Sequence, residues 1–203
     1  MTASVPASTP SALDALPRRG NLASRTIART VLAVLGWRIQ GALPNVARMV
    51  LIGAPHTSNW DFVIGIATAW ALSVRVTWFG KQELFRPPFS VFFRWLGGIP
   101  VDRHVSTGFV EQTVAALQSR ERFMLAIAPE GTRRAVTKWR TGFYYIAMGT
   151  QVPIVLVTFD RARRLMHLGP ALTPSGDLEA DLARIRALYD GILAATPAEA
   201  TPR

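Results

Sequence analysis

The chain has 203 residues, 49% of them hydrophobic, and its 23 Lys and Arg against 13 Asp and Glu give a formal net charge of +10. This length suits one domain with a substantial core rather than two, and the positive charge favours anionic partners such as nucleic acid, anionic lipid or phosphorylated metabolites. The absence of cysteine excludes disulfides, thiolate zinc sites and thiol nucleophiles.

The beginning of the chain predicts a leader without fixed structure. Residues 1–20 are rich in Ala, Ser, Thr and Pro, which predicts disorder, and no apolar stretch of the secretory type follows Met1. Farther along, the longest charge-free apolar run covers residues 62–74, which is shorter than the roughly 20 residues that span a bilayer. The sequence therefore predicts no transmembrane helix.

The next segment, residues 22–37, predicts a helix. Arg25, Arg29 and Arg38 punctuate an apolar series that ends in Trp37. Arginines beside aliphatic residues and a tryptophan are typical of a helix in the headgroup region of a membrane. We therefore assign residues 21–40 to an amphipathic membrane-surface helix, with a core-packing helix as the alternative.

Strands and helices then alternate along the chain. The predicted strands cover residues 47–54, 76–79, 99–101, 123–128, 152–159 and 165–168. The predicted helices cover residues 61–73, 87–96, 106–120 and 177–193. This alternation indicates an α/β fold whose mixed, mostly parallel sheet is flanked by helices. A single domain is predicted over residues 21–195, followed by a disordered tail, 196–203.

Two polar segments follow predicted strands, where an open α/β sheet usually has its ligand crevice. The first contains His56 and Asp61, which are close enough in sequence to act as a base and its orienter. The second contains Glu130 and Gly131. Structural explanations stand beside these: His56 as a structural histidine, Asp61 as a helix cap, and Glu130-Gly131 as a simple turn.

The polar segments resemble motifs of the glycerolipid acyltransferase family, which includes the 1-acyl-glycerol-3-phosphate acyltransferases. Residues 56–61 resemble its His-x-x-x-x-Asp motif, and residues 98–103 resemble its second motif, which ends in arginine. Residues 128–133 resemble Phe-Pro-Glu-Gly-Thr-Arg, and residues 152–155 resemble an apolar strand with an early proline. The order of the four motifs is that of the family.

The match has two departures, which bear on the shape of the pocket more than on its chemistry. Ala128 replaces the usual aromatic residue of the third motif, and Leu156 stands where the fourth often has a second proline. Lys81, in Gly-Lys-Gln-Glu-Leu, matches a lysine that is common between the first two motifs.

The resemblance implies a membrane-associated enzyme that moves a fatty acyl chain from acyl-CoA or acyl carrier protein to the hydroxyl of a lysophospholipid or related glycerol phosphate. His56 would be the general base and Asp61 its orienter, without an acyl-enzyme, because the chain has no Gly-x-Ser-x-Gly elbow or cysteine. The remaining substrate-binding residues that it implies are Lys81, Arg103, Glu130, Gly131, Thr132 and Arg133. No metal or cofactor beyond the acyl thioester is implied.

The predicted partners are an anionic membrane surface, the acyl thioester and the acceptor lipid, at the cytoplasmic face of the cell membrane as a peripheral protein. Other acceptors, such as glycerophosphocholine or an acylated amino acid, stay open, as does hydrolysis with water as acceptor. A non-catalytic basic protein that binds membrane or nucleic acid is the alternative from another class. Nucleic acid is disfavoured because no helix-turn-helix, zinc-ligand or RNA-binding aromatic motif is present.

Overall fold

The computed structural model describes residues 15–56, 58–101, 108–131 and 139–195, which form one α/β domain. The strands are β1 (Arg38–Gly41), β2 (Arg48–Ala54), β3 (Thr77–Lys81), β4 (Gly98–Val101), β5 (Phe123–Ile127), β6 (Ile154–Asp160) and β7 (Leu165–Leu172). The helices are α1 (Leu22–Val34), α2 (Asn59–Ala71), α3 (Ser90–Trp95), α4 (Phe109–Gln118), α5 (Gly142–Thr150) and α6 (Leu178–Ala195). A short 3₁₀ helix, Gln82–Phe85, follows β3.

The strands form one seven-stranded sheet in the order β1-β7-β6-β2-β5-β3-β4. Strands β6, β2, β5, β3 and β4 run parallel to one another, and only the pairing of β7 with β6 is antiparallel. The predicted mixed, mostly parallel sheet is therefore confirmed. Because parallel strands end at the same side of a sheet, the segments after β2, β3, β5 and β6 all emerge at one edge, called here the carboxyl edge.

Apolar cores cover both faces of the sheet. Along β2, Met49 and Leu51 face a core shared with α1 and α2, whereas Val50 and Ile52 face a core shared with α4, α5 and α6. A strand that is buried on both faces needs apolar residues at consecutive positions. This requirement explains why β2 and β6 read as continuous apolar runs in the sequence.

Helix α1 is shorter than its predicted range, 22–37, because it ends in a glycine turn. Gly36 has a φ of +72°, and the Trp37 N–H donates to the Leu32 carbonyl at 2.8 Å. A left-handed glycine followed by this long-range closing bond is a Schellman termination. Two residues of α1, Ala28 and Leu32, are buried against the core.

The folded domain begins earlier than the predicted leader allows. Leu16 is only 3% exposed, Arg18 forms a β-bridge with Val74, and the Arg19 N–H donates to the Ser73 carbonyl. Burial of Leu16 attaches residues 15–20 to the domain, although the composition around them predicts disorder up to residue 20. Predictions for residues 1–14 and for the tail, 196–203, lie outside the described residues.

Among the strands and α-helices that the structure describes, two have no counterpart among the predictions. Strand β1 is a short, mostly exposed edge strand with a polar sequence, and α5 is a nine-residue helix that contains two glycines and has five buried residues. Neither shows the apolar-polar periodicity on which prediction depends. Across the described ranges, no helix combines the length and hydropathy that crossing a bilayer requires.

Candidate active site

The segment after β2 brings a histidine and an aspartate to the carboxyl edge. Helix α2 starts at a capping box: Ser58 Oγ accepts the Trp60 N–H at 3.1 Å, and Asp61 Oδ2 accepts the Ser58 N–H at 2.9 Å. The cap satisfies backbone donors that a helix start leaves free. The start of α2 by itself therefore holds Asp61 in one orientation.

The two side chains face each other across this turn. His56 Nδ1 lies 3.4 Å from Asp61 Oδ2, and the side chains are 25% and 1% exposed, respectively. This separation is long for a hydrogen bond, although the ring nitrogen and the carboxylate oxygen face each other. With its Nδ1 proton directed at Asp61, the ring would present Nε2 as a proton acceptor.

Arg161, the first residue after β6, contacts the same carboxylate. Its Nε donates to Asp61 Oδ1 at 3.0 Å, and its Nη2 donates to that oxygen as well. The Asp61 carboxylate thus has the Arg161 guanidinium on one oxygen and Ser58 and His56 on the other. A cation paired with a 2% exposed aspartate offsets the cost of burying that charge.

Glu130, in the turn after β5, holds the other side of the histidine loop. Its Oε2 accepts the His56 backbone N–H at 3.0 Å, and the residue is 9% exposed. The contact joins the segment after β2 to the segment after its neighbour β5. Glu130 therefore fixes the backbone of His56, while Asp61 faces its ring.

The two carboxyl groups have opposite shifts in pKa. Burial alone would raise the pKa of Asp61, but hydrogen bonds from His56, Arg161 and Ser58 outweigh it and lower the value from 3.8 to about 2. For Glu130, burial dominates and raises the pKa despite the His56 N–H. Because its folded pKa is the lower one, ionised Asp61 stabilises the fold above pH 3.8, and this contribution is lost as the pH falls toward 2.

An apolar cavity of about 200 Å³ lies next to this pair, between α2 and the sheet. His56 and Asp61 line it at the carboxyl edge, and Val76, which precedes β3, lines it toward the opposite edge. Its walls are predominantly aliphatic and aromatic, including Gly65 of α2 and Phe159 of β6. The cavity has the surface chemistry of a site for a hydrocarbon chain.

The structure brings three of the predicted site residues together, namely His56, Asp61 and Glu130. Lys81 ends β3 at the same edge and is exposed. Three further predicted residues, Arg103, Thr132 and Arg133, lie outside the described residues.

Gly131 forms the tight turn predicted for it. Its φ is +63°, and its N–H donates to the Ala128 carbonyl at 3.1 Å. A Cβ at this position would lie 2.7 Å from the Arg140 side chain. The left-handed backbone and this close approach both favour glycine.

Sequence reasoning missed Arg161 and Arg140. Arg161 directly follows β6 at the carboxyl edge, so the positional rule that selected His56 and Glu130 also applies to it. It carries no motif, and its partner Asp61 is 100 positions away. Arg140, which lies against Gly131, differs from Arg161 in that it follows no strand-end pattern.

Comparisons with known proteins agree with the fold and with the motifs. A family model described as "Acyltransferase" matches residues 38–160. The crystal structure of the 1-acyl-sn-glycerophosphate (LPA) acyltransferase PlsC from Thermotoga maritima is similar with a TM-score of 0.65 and 17% sequence identity, over 89% of this chain and 80% of that one. At this identity the similarity shows a shared fold. No curated protein matches the sequence significantly.

Proposed function

Since the chain belongs to the acyltransferase family, we propose that it transfers a fatty acyl chain from a thioester donor to the hydroxyl of a lysophospholipid or related glycerol phosphate. The donor would be acyl-CoA or acyl carrier protein. The observation that carries the proposal is the His56–Asp61 pair in the lining of an apolar cavity. This arrangement supplies a base beside a place for an acyl chain.

The proposed reaction is direct transfer. His56 Nε2 accepts the proton of the acceptor hydroxyl while that oxygen attacks the thioester carbonyl, and Asp61 stabilises the resulting imidazolium. The tetrahedral intermediate then expels the thiolate, which takes the proton from His56. One C–S bond is exchanged for one C–O bond, and no side chain of the enzyme is acylated.

The anionic group of the acceptor would bind to basic side chains at the carboxyl edge. Lys81 is exposed there, and Arg103 and Arg133 complete the proposed set by their positions in the motifs. Arginine offers a planar pair of donors that suits phosphate oxygens, whereas lysine acts as a compact charge. Glu130, Gly131 and Thr132 would shape the turn that positions the glycerol portion.

A peripheral position on the cytoplasmic face of the cell membrane is also proposed, because exposed apolar side chains project from α1, α2, α3 and the segment before α3. These side chains are Leu22, Ile27, Val31, Val34, Trp60, Val63, Leu84, Phe89, Val91, Phe92 and Trp95. Contact between Trp70 and Trp95 joins α2 to α3, and the Arg19 guanidinium lies over the Trp95 ring. Apolar groups next to arginines are typical of surfaces that bind anionic lipid.

The proposal is tested by incubating the purified protein with acyl-CoA or acyl carrier protein and vesicles containing lysophosphatidic acid, lysophosphatidylcholine or glycerophosphocholine. We expect thiol release that requires an acceptor, with the acylated product identified by mass spectrometry. His56→Ala should lower the rate by about a hundredfold or more, the usual contribution of a general base.

A second histidine supplies the matched control. His167 lies on β7 and does not line the cavity, so His167→Gln should leave the rate near that of the wild type. Thiol release at the same rate without any acceptor would identify a thioesterase instead. Full activity in folded His56→Ala would exclude the proposed base.

A further inference from the structure

We propose that Arg161 is a positioning residue for catalysis: its guanidinium fixes the Asp61 carboxylate toward His56 and offsets its charge. The inference rests on the proposed function, because the His56–Asp61 pair is the base of that reaction. Arg161 belongs to none of the segments that resemble family motifs. Its role follows from the contacts that the fold creates.

The geometry divides the contacts of the carboxylate between its two oxygens. Oδ1 receives Nε and Nη2 of Arg161, while Oδ2 receives the Ser58 N–H and faces His56 Nδ1. Rotation of the carboxylate would therefore break contacts at both oxygens. Two donors from one rigid guanidinium restrict this rotation more than a single donor does.

Charge gives Arg161 a second effect. Among the described residues, the titratable and charged groups that face the His56 site are Asp61 from α2, Glu130 after β5 and, through Asp61, Arg161 after β6. The Arg161 guanidinium lies on Oδ1 of Asp61 and therefore offsets part of the negative charge that Asp61 presents to the ring.

A neighbouring arginine provides a matched control. Arg163 is in the same turn and is also ion-paired, but its partners are Asp160, at 2.7 Å, and the Leu193 carbonyl. Arg163→Gln therefore removes one guanidinium and one ion pair from the turn without removing a contact of Asp61. Arg161→Gln also removes one guanidinium, but this one is bound to the Asp61 carboxylate.

The first measurement is steady-state kinetics of Arg161→Gln, Arg161→Lys and Arg163→Gln. We expect Arg161→Gln to lower kcat on the order of tenfold to a hundredfold, as misplacement of a catalytic group does, with the KM for both substrates little changed. Arg161→Lys should also lower kcat, because an ammonium cannot reproduce the paired donors. Arg163→Gln should match the wild type.

The second measurement is pH dependence. Without the Arg161 cation, ionised Asp61 stabilises protonated His56 more strongly, so the acidic limb of the kcat/KM profile should move to higher pH in Arg161→Gln. Arg161→Lys should restore much of that limb because it keeps the charge. NMR titration of the His56 ring should show a larger change in Arg161→Gln than in Arg161→Lys. The chain has three histidines, and the His56 signals can be assigned with His56→Ala.

Several results would overturn the inference. One is a kcat and a pH profile in Arg161→Gln equal to those of Arg163→Gln. Another is a loss confined to the KM for the acceptor, which would make Arg161 a phosphate ligand. If Arg161→Gln does not fold, the kcat and KM of Arg161→Lys decide the question. A wild type without transfer activity would refute the proposed function, and the NMR titration would still test the effect of Arg161.

Discussion

At the scale of single residues, Asp61 combines two explanations that the sequence presents as alternatives. As the third residue of α2 it accepts the N-cap N–H of Ser58, and it also faces His56 and binds Arg161. A capping carboxylate is already oriented by the helix start, so it needs little further ordering to serve as a partner for the histidine. The capping contact with Ser58 therefore orients Asp61 for its proposed role beside His56.

Glu130 leads to a prediction about its partly buried hydrogen bond with the His56 backbone. Glu130→Ala should lower the free energy of unfolding by about 1–3 kcal/mol, because the His56 N–H loses its acceptor in a partly buried place. Glu130→Gln retains an amide oxygen that can accept this hydrogen bond and should stay within about 1 kcal/mol of the wild type. Chemical denaturation of both variants measures the difference.

Activity should follow the same order. We expect kcat to fall on the order of tenfold in Glu130→Ala because the His56 backbone is released, and to fall less in Glu130→Gln. Equal unfolding free energies for the two variants would mean that the contact with His56 contributes little to the fold.

At the scale of elements, α2 connects the chemistry to the cavity. Its first turn carries Asp61, and farther along the helix Gly65, Ile66 and Ala69 line the cavity. Glycine in a helix interior costs about 1 kcal/mol relative to alanine, so Gly65 needs a compensating reason. Open space for a bound chain provides one.

Gly65 leads to a prediction about acyl-chain length, given the proposed function. A Cβ at Gly65 would lie 3.9 Å from Phe159 Cζ, an ordinary contact, and beyond its own helix backbone and chain neighbours no other described atom lies within 4 Å. Gly65→Leu should fill part of the cavity and shorten the preferred acyl chain by roughly four carbons, since the leucine side chain would occupy volume that the end of the acyl chain otherwise fills. Competition between acyl donors of different lengths, with product analysis by mass spectrometry, measures the change.

Gly65→Ala is the matched control for this experiment. It should raise the free energy of unfolding by up to about 1 kcal/mol through helix propensity and leave the chain-length preference nearly unchanged. An unaltered preference in folded, active Gly65→Leu would show that the acyl chain binds elsewhere.

At the scale of the whole molecule, the apolar side chains exposed on α1 and α2 lie on the opposite side of the sheet from α5 and α6, as the two cores show, and the Trp70–Trp95 contact joins α3 to α2. The net charge of +10 adds attraction to anionic lipid. This asymmetry would direct one face of the domain, the one that includes α2 beside the cavity, to the membrane.

Membrane binding is therefore predicted to depend on the α3 region. Phe89→Ser combined with Val91→Ser removes side chains that are 61% and 78% exposed and should weaken binding to anionic vesicles by tenfold or more, about 1.4 kcal/mol. Binding should also weaken as salt is added, because the charges are screened. Co-sedimentation with vesicles measures both effects.

The opposite face provides the control. Tyr145→Ser combined with Met148→Ser removes exposed apolar side chains from α5 and should leave vesicle binding unchanged. Equal loss of binding in both double variants would indicate nonspecific adhesion rather than one membrane-binding face.

The sequence by itself determined the alternation of strands and helices, the mostly parallel sheet and the family. Buried parallel strands produce continuous apolar runs, and polar residues directly after them, such as His56 and Glu130, lie at the carboxyl edge by geometry. Local patterns of this kind can be recognised without knowledge of the strand order. They missed α5, whose short and mostly buried sequence lacks a polar stripe.

Only the tertiary structure decided which side chains meet. The contact of Glu130 with the His56 backbone and the pairing of Arg161 with Asp61 join segments 74 and 100 positions apart. Both require β2 to lie between β5 and β6, an order that no local periodicity encodes. The physical reason is that hydrogen bonds and ion pairs depend on distance in space, whereas sequence patterns report only which face of an element is buried.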